Sequence, residues 1–352
     1  MGLSNLAVSF FLKDEIGLSP AEVAFVTSCG TFPWLIKPLY GFVSDSFPLA
    51  GYRRRSYMAV CGVAGSLGWA TLATLAHGKG AVIGGLVLSN VGVAMADVVV
   101  DSVVVERVRE VDDPDLEGSL QSLSWGARAV GSIIAALYGG HLVEEYGPRF
   151  VFTVTAALPL LVTAVALVLE EERVDGASGE WLSPAGAARA AREQTLSLWR
   201  AVRRRDIWSP TAFLFLWQAT PQASQAMFFF QTEELGFTPE FLGRVQLATA
   251  IASLCGVVLY NNLLQRTPLR KIFLYSALVG TALSLTQLVL VNGLNTQLGV
   301  PNEVFAVADS IALAVVGQGA CVPPRASAPS LPLPLPPSRS RHSWSRVSPA
   351  CS

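Results

Sequence analysis

Asn90, Ala94, Asp97 and Asp101 recur at i, i+4, i+7 and i+11, the spacing that places four residues on one face of a helix. They lie in an apolar run near 83–105 that is long enough to cross a bilayer. An aspartate at the centre of such a run costs about 2.5–3.5 kcal/mol on the insertion scale, and two facing lipid would cost about twice that. Asp97 and Asp101 are therefore expected to line a watery cavity or to pair with a cation. The next apolar run offers one: Gln121, Trp125, Arg128 and Ser132 share a face, with Arg128 well inside the span. An Asp97/Asp101–Arg128 network is the expected core of a substrate-binding or proton-coupling site. The plain alternative is a buried ion pair that only fixes packing.

Other polar residues invite weaker readings. Lys37 lies near the end of a span and either snorkels to the interface or enters the cavity. Gln218, Gln222 and Gln225 would share one face of a later helix beside Pro221, where amides could bond a heterocycle edge or simply join helices. Arg244 could contact substrate or cap structure. Asp309 follows Val-Ala as Asp97 follows Met-Ala, and is read as its counterpart in the second half. Substrate binding or proton coupling is thus assigned to Asp97, Asp101, Arg128, Gln218, Gln222, Arg244 and Asp309.

These residues need helices to hold them. Of the 352 residues, 51% are hydrophobic and only 14% charged, with mean hydropathy +0.46. A soluble domain carries about 25% charge, so most of this surface must face lipid. Full spans are expected near 22–42, 57–76, 83–105, 119–141, 150–169, 208–230, 240–260, 272–291 and 302–320. Residues 1–12 read as the end of a first helix and not as a signal peptide, since they lack a basic n-region and a cleavage site. Loops at 46–56, 106–118, 170–207 and 261–271 hold fifteen Arg and Lys, whereas the opposite loops hold only Lys13, Lys79 and Arg149. That asymmetry places the arginine-rich loops in the cytoplasm or its organellar equivalent.

Net charge of −1 argues against a nucleic-acid partner. Cysteines at 29, 61, 255, 321 and 351 lack metal-ligand or disulfide-framework spacing. There is no HExxH, GxSxG or P-loop, so neither an enzyme nor a bound metal or cofactor is expected. Gly62, Gly65 and Gly68 loosely echo a dinucleotide fingerprint but sit inside an apolar span, where close helix packing is the expected role.

The chain also repeats itself. Residues 14–20 (Asp-Glu-Ile-Gly-Leu-Ser-Pro) match 233–239 (Glu-Glu-Leu-Gly-Phe-Thr-Pro) at an offset of 219. Each copy ends in Ser/Thr-Pro, an N-cap followed by proline at the first helical position. Two helical halves, 1–169 and 208–320, joined by a cytoplasmic loop at 170–207, is the plan of many secondary transporters. Residues 322–352, with eight prolines and eight serines, are expected to be a disordered tail.

Gly41-Phe-Val-Ser-Asp45 followed by Gly51-Tyr-Arg53-Arg54-Arg55 resembles the Gly-x-x-x-Asp…Gly-Arg-Arg signature of the major facilitator superfamily, with a short insertion. Gly41 would admit a close helix approach, and Asp45 with Arg53, Arg54 and Arg55 would form a conformational latch. A denser resemblance covers residues 1 to about 318. Leu6–Asp14, Pro33–Asp45, Gly51–Ser56, Ala96–Ser102 with Glu106-Arg107, Leu216–Pro221 and Phe237–Arg244 are similar to the plant and cyanobacterial folate–biopterin transporter family.

That resemblance implies an all-α, major-facilitator-type helical bundle of twelve helices, of which about nine full spans and a partial first helix stand here. It implies an integral, multi-pass protein that moves folates or pterins, with protons as the expected coupling partner. The plastid envelope and the plasma membrane both fit. Another organic anion, or a non-transporting membrane fragment, are the alternatives. The chain departs from the family in the missing start of the first helix, in the Pro/Ser tail that stands where further helices belong, and in lacking an acidic residue at 222–225.

Overall fold

The computed structural model describes residues 2–46, 49–52, 54–111, 114–169, 171, 192, 196, 199–200, 203–219, 223–259 and 269–321. The side chains of Asp45, Gln121, Trp125 and Gln218, and the whole of Arg53, Gln222 and the tail 322–352, lie outside the described residues, as does most of the loop 170–207.

Helices run α1 (Gly2–Phe10), α2 (Pro20–Thr31), α3 (Lys37–Ser46), α4 (Arg55–Thr74), α5 (Lys79–Val111) and α6 (Pro114–Val168). After the central loop come α7 (Arg205–Gln218), α8 (Ser224–Phe229), α9 (Pro239–Leu259), α10 (Leu269–Ser284), α11 (Thr286–Val291), α12 (Leu294–Gln297) and α13 (Asn302–Cys321). Within the described residues the expected spans are largely helical, but several are interrupted. α2 and α3 are joined by a 3₁₀ turn at Phe32–Ile36, which contains Pro33. α6 is two arms meeting at Gly147, whose φ of 79° and following Pro148 break the helix. Among the described residues, four segments are long and apolar enough to cross a membrane unaided: Arg55–Thr74, Lys79–Val103, Gly126–Val168 and Leu274–Val291. The outward faces carry exposed Leu67, Leu161, Val165 and Val168, an apolar coat that water would not support and lipid does.

The internal repeat is structural as well as textual. α1 and α8 each end in a π-helical turn, Phe11–Glu15 and Phe230–Glu234. The Ile16 and Leu235 amides donate to the Phe11 and Phe230 carbonyls, and the Leu18 and Phe237 amides to the Leu12 and Gln231 carbonyls. Gly17 and Gly236 follow at φ +70° and +67°, a conformation that disfavours a side chain. Every one of these pairs keeps the offset of 219. The Ser19 cap is completed by Glu22, which closes a capping box; in the second copy the Thr238 hydroxyl accepts the Phe241 amide.

Gly62, Gly65 and Gly68 pack helices, as expected. A Cβ at Gly68 would stand 2.4 Å from the Ser89 nitrogen on α5, and one at Gly62 would stand 2.5 Å from the Pro159 carbonyl on α6. The main apolar cluster gathers Leu6, Phe10, Phe11 and Val23 from the first half with Phe229, Phe237 and Leu242 from the second. Phe10 meets Phe228 edge-on at 5.1 Å. Gly140 on α6 and Gly243 on α9 touch backbone to backbone, since a Cβ on Gly243 would lie 2.7 Å from the Gly140 Cα. The Glu240 amide, at the start of α9, donates to the Glu144 carboxylate at 2.7 Å. These contacts between the halves stand at the end opposite the arginine-rich loops.

Candidate functional site

The site forms where α3, α5 and α6 converge. A 3₁₀ turn stacks residues i and i+3, and the turn at Phe32–Ile36 sets Trp34 and Lys37 side by side against α5. On α5 the matching residues are Asn90 and Asp97, two helical turns apart. The Trp34 Nε1–H donates to Asn90 Oδ1 at 2.8 Å, and Asn90 is buried with its Nδ2 on the Leu86 carbonyl at 2.9 Å. Lys37 Nζ lies 2.6 Å from Asp97 Oδ2 and 4.4 Å from the Trp34 ring centroid.

Asp97 is shared between two cations. Its other oxygen, Oδ1, accepts from Arg128 Nη2 at 2.8 Å. The Asp97 side chain is 20% exposed, Lys37 is 32% and Arg128 is 60%. The carboxylate is thus the most enclosed member, with the arginine reaching it from the open side. Asp101, one turn further, is exposed and within electrostatic reach of Asp97, Lys37 and Arg128. Among the described residues it makes no hydrogen bond or ion pair. Asp97, Asp101 and Arg128 are therefore brought together as the spacing indicates, and Lys37 joins them in place of snorkelling to the interface.

The remaining expected site residues stand elsewhere. Arg244 pairs with Glu240 one turn back and lines a cavity of about 420 Å³ with His141, Gly140 and Gly243. Gly140 lies twelve residues beyond Arg128 on α6, about 18 Å along the axis, so Arg244 belongs to the far end of the bundle. Asp309 does not take the place of Asp97. At the repeat offset of 219 it matches Asn90, seven residues before Asp97. Its partner is the Thr286 hydroxyl, at the break between α10 and α11, and not a cation. Of Gln218, Gln222 and Gln225, the Gln218 side chain and the whole of Gln222 lie outside the described residues, so their expected shared face does too. Gln225 presents a buried Oε1 with no partner among the described residues.

Of the expected latch, the Asp45 side chain and Arg53 lie outside the described residues, and Gly41, Arg54 and Arg55 are described. A Cβ at Gly41 would meet only Val98 Cγ1, at 3.6 Å, an ordinary contact, so helix approach here does not demand glycine. Arg54 is buried and donates through Nη1 to Ser44 Oγ at 3.1 Å, while Ser44 donates to the Gly41 carbonyl. Glu171 accepts the Arg54 amide at 3.0 Å and the Arg55 amide at 2.8 Å, which puts a carboxylate on the N-terminus of α4. Arg55 lies over the Tyr52 ring at 5.4 Å. Glu171 escapes the motif because it follows the last span of the first half, 116 residues from Arg55; its only sequence signal is an acidic run, Glu170-Glu171-Glu172, opening an otherwise basic loop.

The chain is 46% identical over 326 residues to the folate-biopterin transporter of Synechocystis sp., covering 92% of this chain and 64% of that protein. It is 28% identical to the probable folate-biopterin transporter 4 of Arabidopsis thaliana, over 86% of this chain and 72% of that one. Folate transporter 2 of Plasmodium falciparum is 26% identical, over 87% and 64%. The chain thus spans about two thirds of the length of the curated relatives it matches. Among solved structures, the nucleoside transporter NupG superposes with a TM-score of 0.61 at 14% identity, over 90% of this chain and 75% of that one. That likeness shows the fold, an integral-membrane helical bundle of the major-facilitator type. The BT1 family model matches residues 1–329, and the chain belongs to the BT1 family.

Proposed function

We propose that this chain carries folates or pterins across a membrane by alternating access, using the Lys37–Asp97–Arg128 set as its binding site. The observation that carries the reading is Asp97, a carboxylate inside an apolar helix, held between cations from two other helices. Ionisable groups at such depth mark transport pathways more often than they stabilise folds. A pterin edge presents adjacent N–H donors that a carboxylate accepts as a pair, and the glutamate tail of a folate needs a cation. Asp97 supplies the first, and Lys37 and Arg128 supply the second. Asp101 is the group available for a coupling proton.

The two halves, 1–169 and 208–320, rock about this site. Their contacts at Gly140–Gly243, Glu144–Glu240 and Phe10–Phe228 close the end opposite the arginine-rich loops.

Uptake of labelled folate by folate-requiring cells expressing the full chain tests the reading. Uptake that disappears with Asp97→Asn and with Arg128→Ala is the expected result. Carriage of another organic anion with no folate would move the substrate assignment to that anion. Correctly inserted protein that carries neither would overturn the transport reading.

A further inference from the structure

We infer that Trp34 is the stacking platform for the planar heteroaromatic ring of the transported molecule, and that Asn90 is the residue that positions it. The inference rests on the folate or pterin reading above and adds a specificity-determining residue to it.

Two tryptophans in the first half show the contrast. Trp69 is 4% exposed, lies in the main apolar cluster and packs on Phe152 at 5.7 Å. Its role is to fill the core. Trp34 belongs to neither buried apolar cluster and is only half-buried. A residue with so much apolar surface normally serves the core or an interface; this one instead stands beside the charged set.

Its orientation is set in advance. The indole N–H is held by Asn90 Oδ1 at 2.8 Å, and Asn90 cannot turn away without losing the Leu86 carbonyl on its Nδ2. Trp34 also sits in the 3₁₀ turn beside Pro33, which fixes the backbone that carries it. A ring pinned along its edge, with its backbone constrained, loses little freedom when a ligand stacks on it.

The space over the ring is held by a replaceable group. The Lys37 ammonium lies 4.4 Å from the ring centroid while bonded to Asp97 at 2.6 Å. A cation over a partly exposed ring is a weak contact. A flat, polar heterocycle can displace that ammonium from the indole at small cost, and a ligand carboxylate, where the ligand has one, holds Lys37 aside. The same event frees an oxygen of Asp97 for the heterocycle's N–H donors. One ligand with a planar ring at one end and a carboxylate at the other therefore satisfies Trp34, Asp97 and Lys37 together.

The test is equilibrium binding to the purified full chain in lipid nanodiscs, with three probes: folic acid, biopterin, and p-aminobenzoylglutamate, which has the carboxylates but no pterin ring. Trp34→Leu is expected to weaken biopterin and folic acid by about tenfold or more, the scale of removing one aromatic stacking partner, with p-aminobenzoylglutamate within about twofold. Trp34→Phe keeps a ring and is expected to restore most of the pterin affinity. Asn90→Ala is expected to weaken biopterin while leaving p-aminobenzoylglutamate unchanged, a ratio that general loosening of the fold would not alter. Trp34→Leu protein that melts like the wild type and binds biopterin equally well would overturn the inference while leaving the substrate reading intact. Wild-type chain that binds neither folic acid nor biopterin would overturn the substrate reading, and this inference with it.

Discussion

Lys37 Nζ lies 2.6 Å from Asp97 Oδ2, across the interface between α3 and α5 and sixty residues apart in sequence. The pair is only partly enclosed, with Arg128 completing it from the more open side. Removing Asp97 takes the shared counter-ion from both Lys37 and Arg128, while removing Lys37 with it leaves only the more exposed Arg128 to lose it. Asp97→Asn alone is expected to lower stability by about 1–2 kcal/mol, between the exposed and fully buried cases. Lys37→Met combined with Asp97→Asn should recover part of that loss yet still fail to bind folate. A double-mutant cycle on thermal unfolding, with folate binding measured in parallel, checks both statements; additive single-mutant losses would show that the two residues are not coupled.

The backbone contact of Gly140 with Gly243 leaves no room for a side chain. Gly243→Val is expected to force α6 and α9 apart at the end opposite the basic loops, at a cost of about 1–3 kcal/mol. Spin labels placed on the ends of these two helices should report a longer mean distance than in the wild type. An unchanged distance distribution would argue against the crossing as a tight contact.

Glu144 places its carboxylate on the first amide of α9. Acceptors and negative charge at a helix N-terminus contribute about 0.5–2 kcal/mol. Glu144→Ala should weaken the closed end by that amount and raise the rate at which a thiol reagent labels a cysteine placed at position 10. Glu144→Gln, which keeps an acceptor without the charge, should fall between the two. Equal labelling in all three proteins would remove Glu144 from the closure.

Glu171 accepts the Arg54 and Arg55 amides at the start of α4. Glu171→Ala is expected to speed amide exchange across the first turn of α4 by about five- to tenfold, the equivalent of about 1 kcal/mol of lost capping, with little change in the outer half of the helix. Exchange mass spectrometry on peptides covering 54–60 measures it.

Much of this was readable from local rules. The i, i+4, i+7 spacing of Asn90, Ala94 and Asp97 does place them together, and Ala94 is fully buried beside its polar neighbours. The repeat at an offset of 219 was visible as text and reappears bond for bond in the two π-helical turns. Both succeed because they depend on residues close in sequence, where helical periodicity and turn chemistry dominate.

By itself the sequence determined that this is a chain of apolar helices with one basic side, two similar halves and a few charges too deep to face lipid. Those conclusions follow from transfer free energies and periodicity, which act residue by residue. Tertiary structure alone decided which charges meet. It drew Lys37 to Asp97 through a 3₁₀ turn, sent Arg244 to the far end beside Glu240, gave Asp309 a hydroxyl for a partner, and brought Glu171 to the Arg54 and Arg55 amides. Pairing between helices depends on their relative depth and rotation, and those are set by where backbones can touch, as at Gly68 against Ser89 and at Gly140 against Gly243.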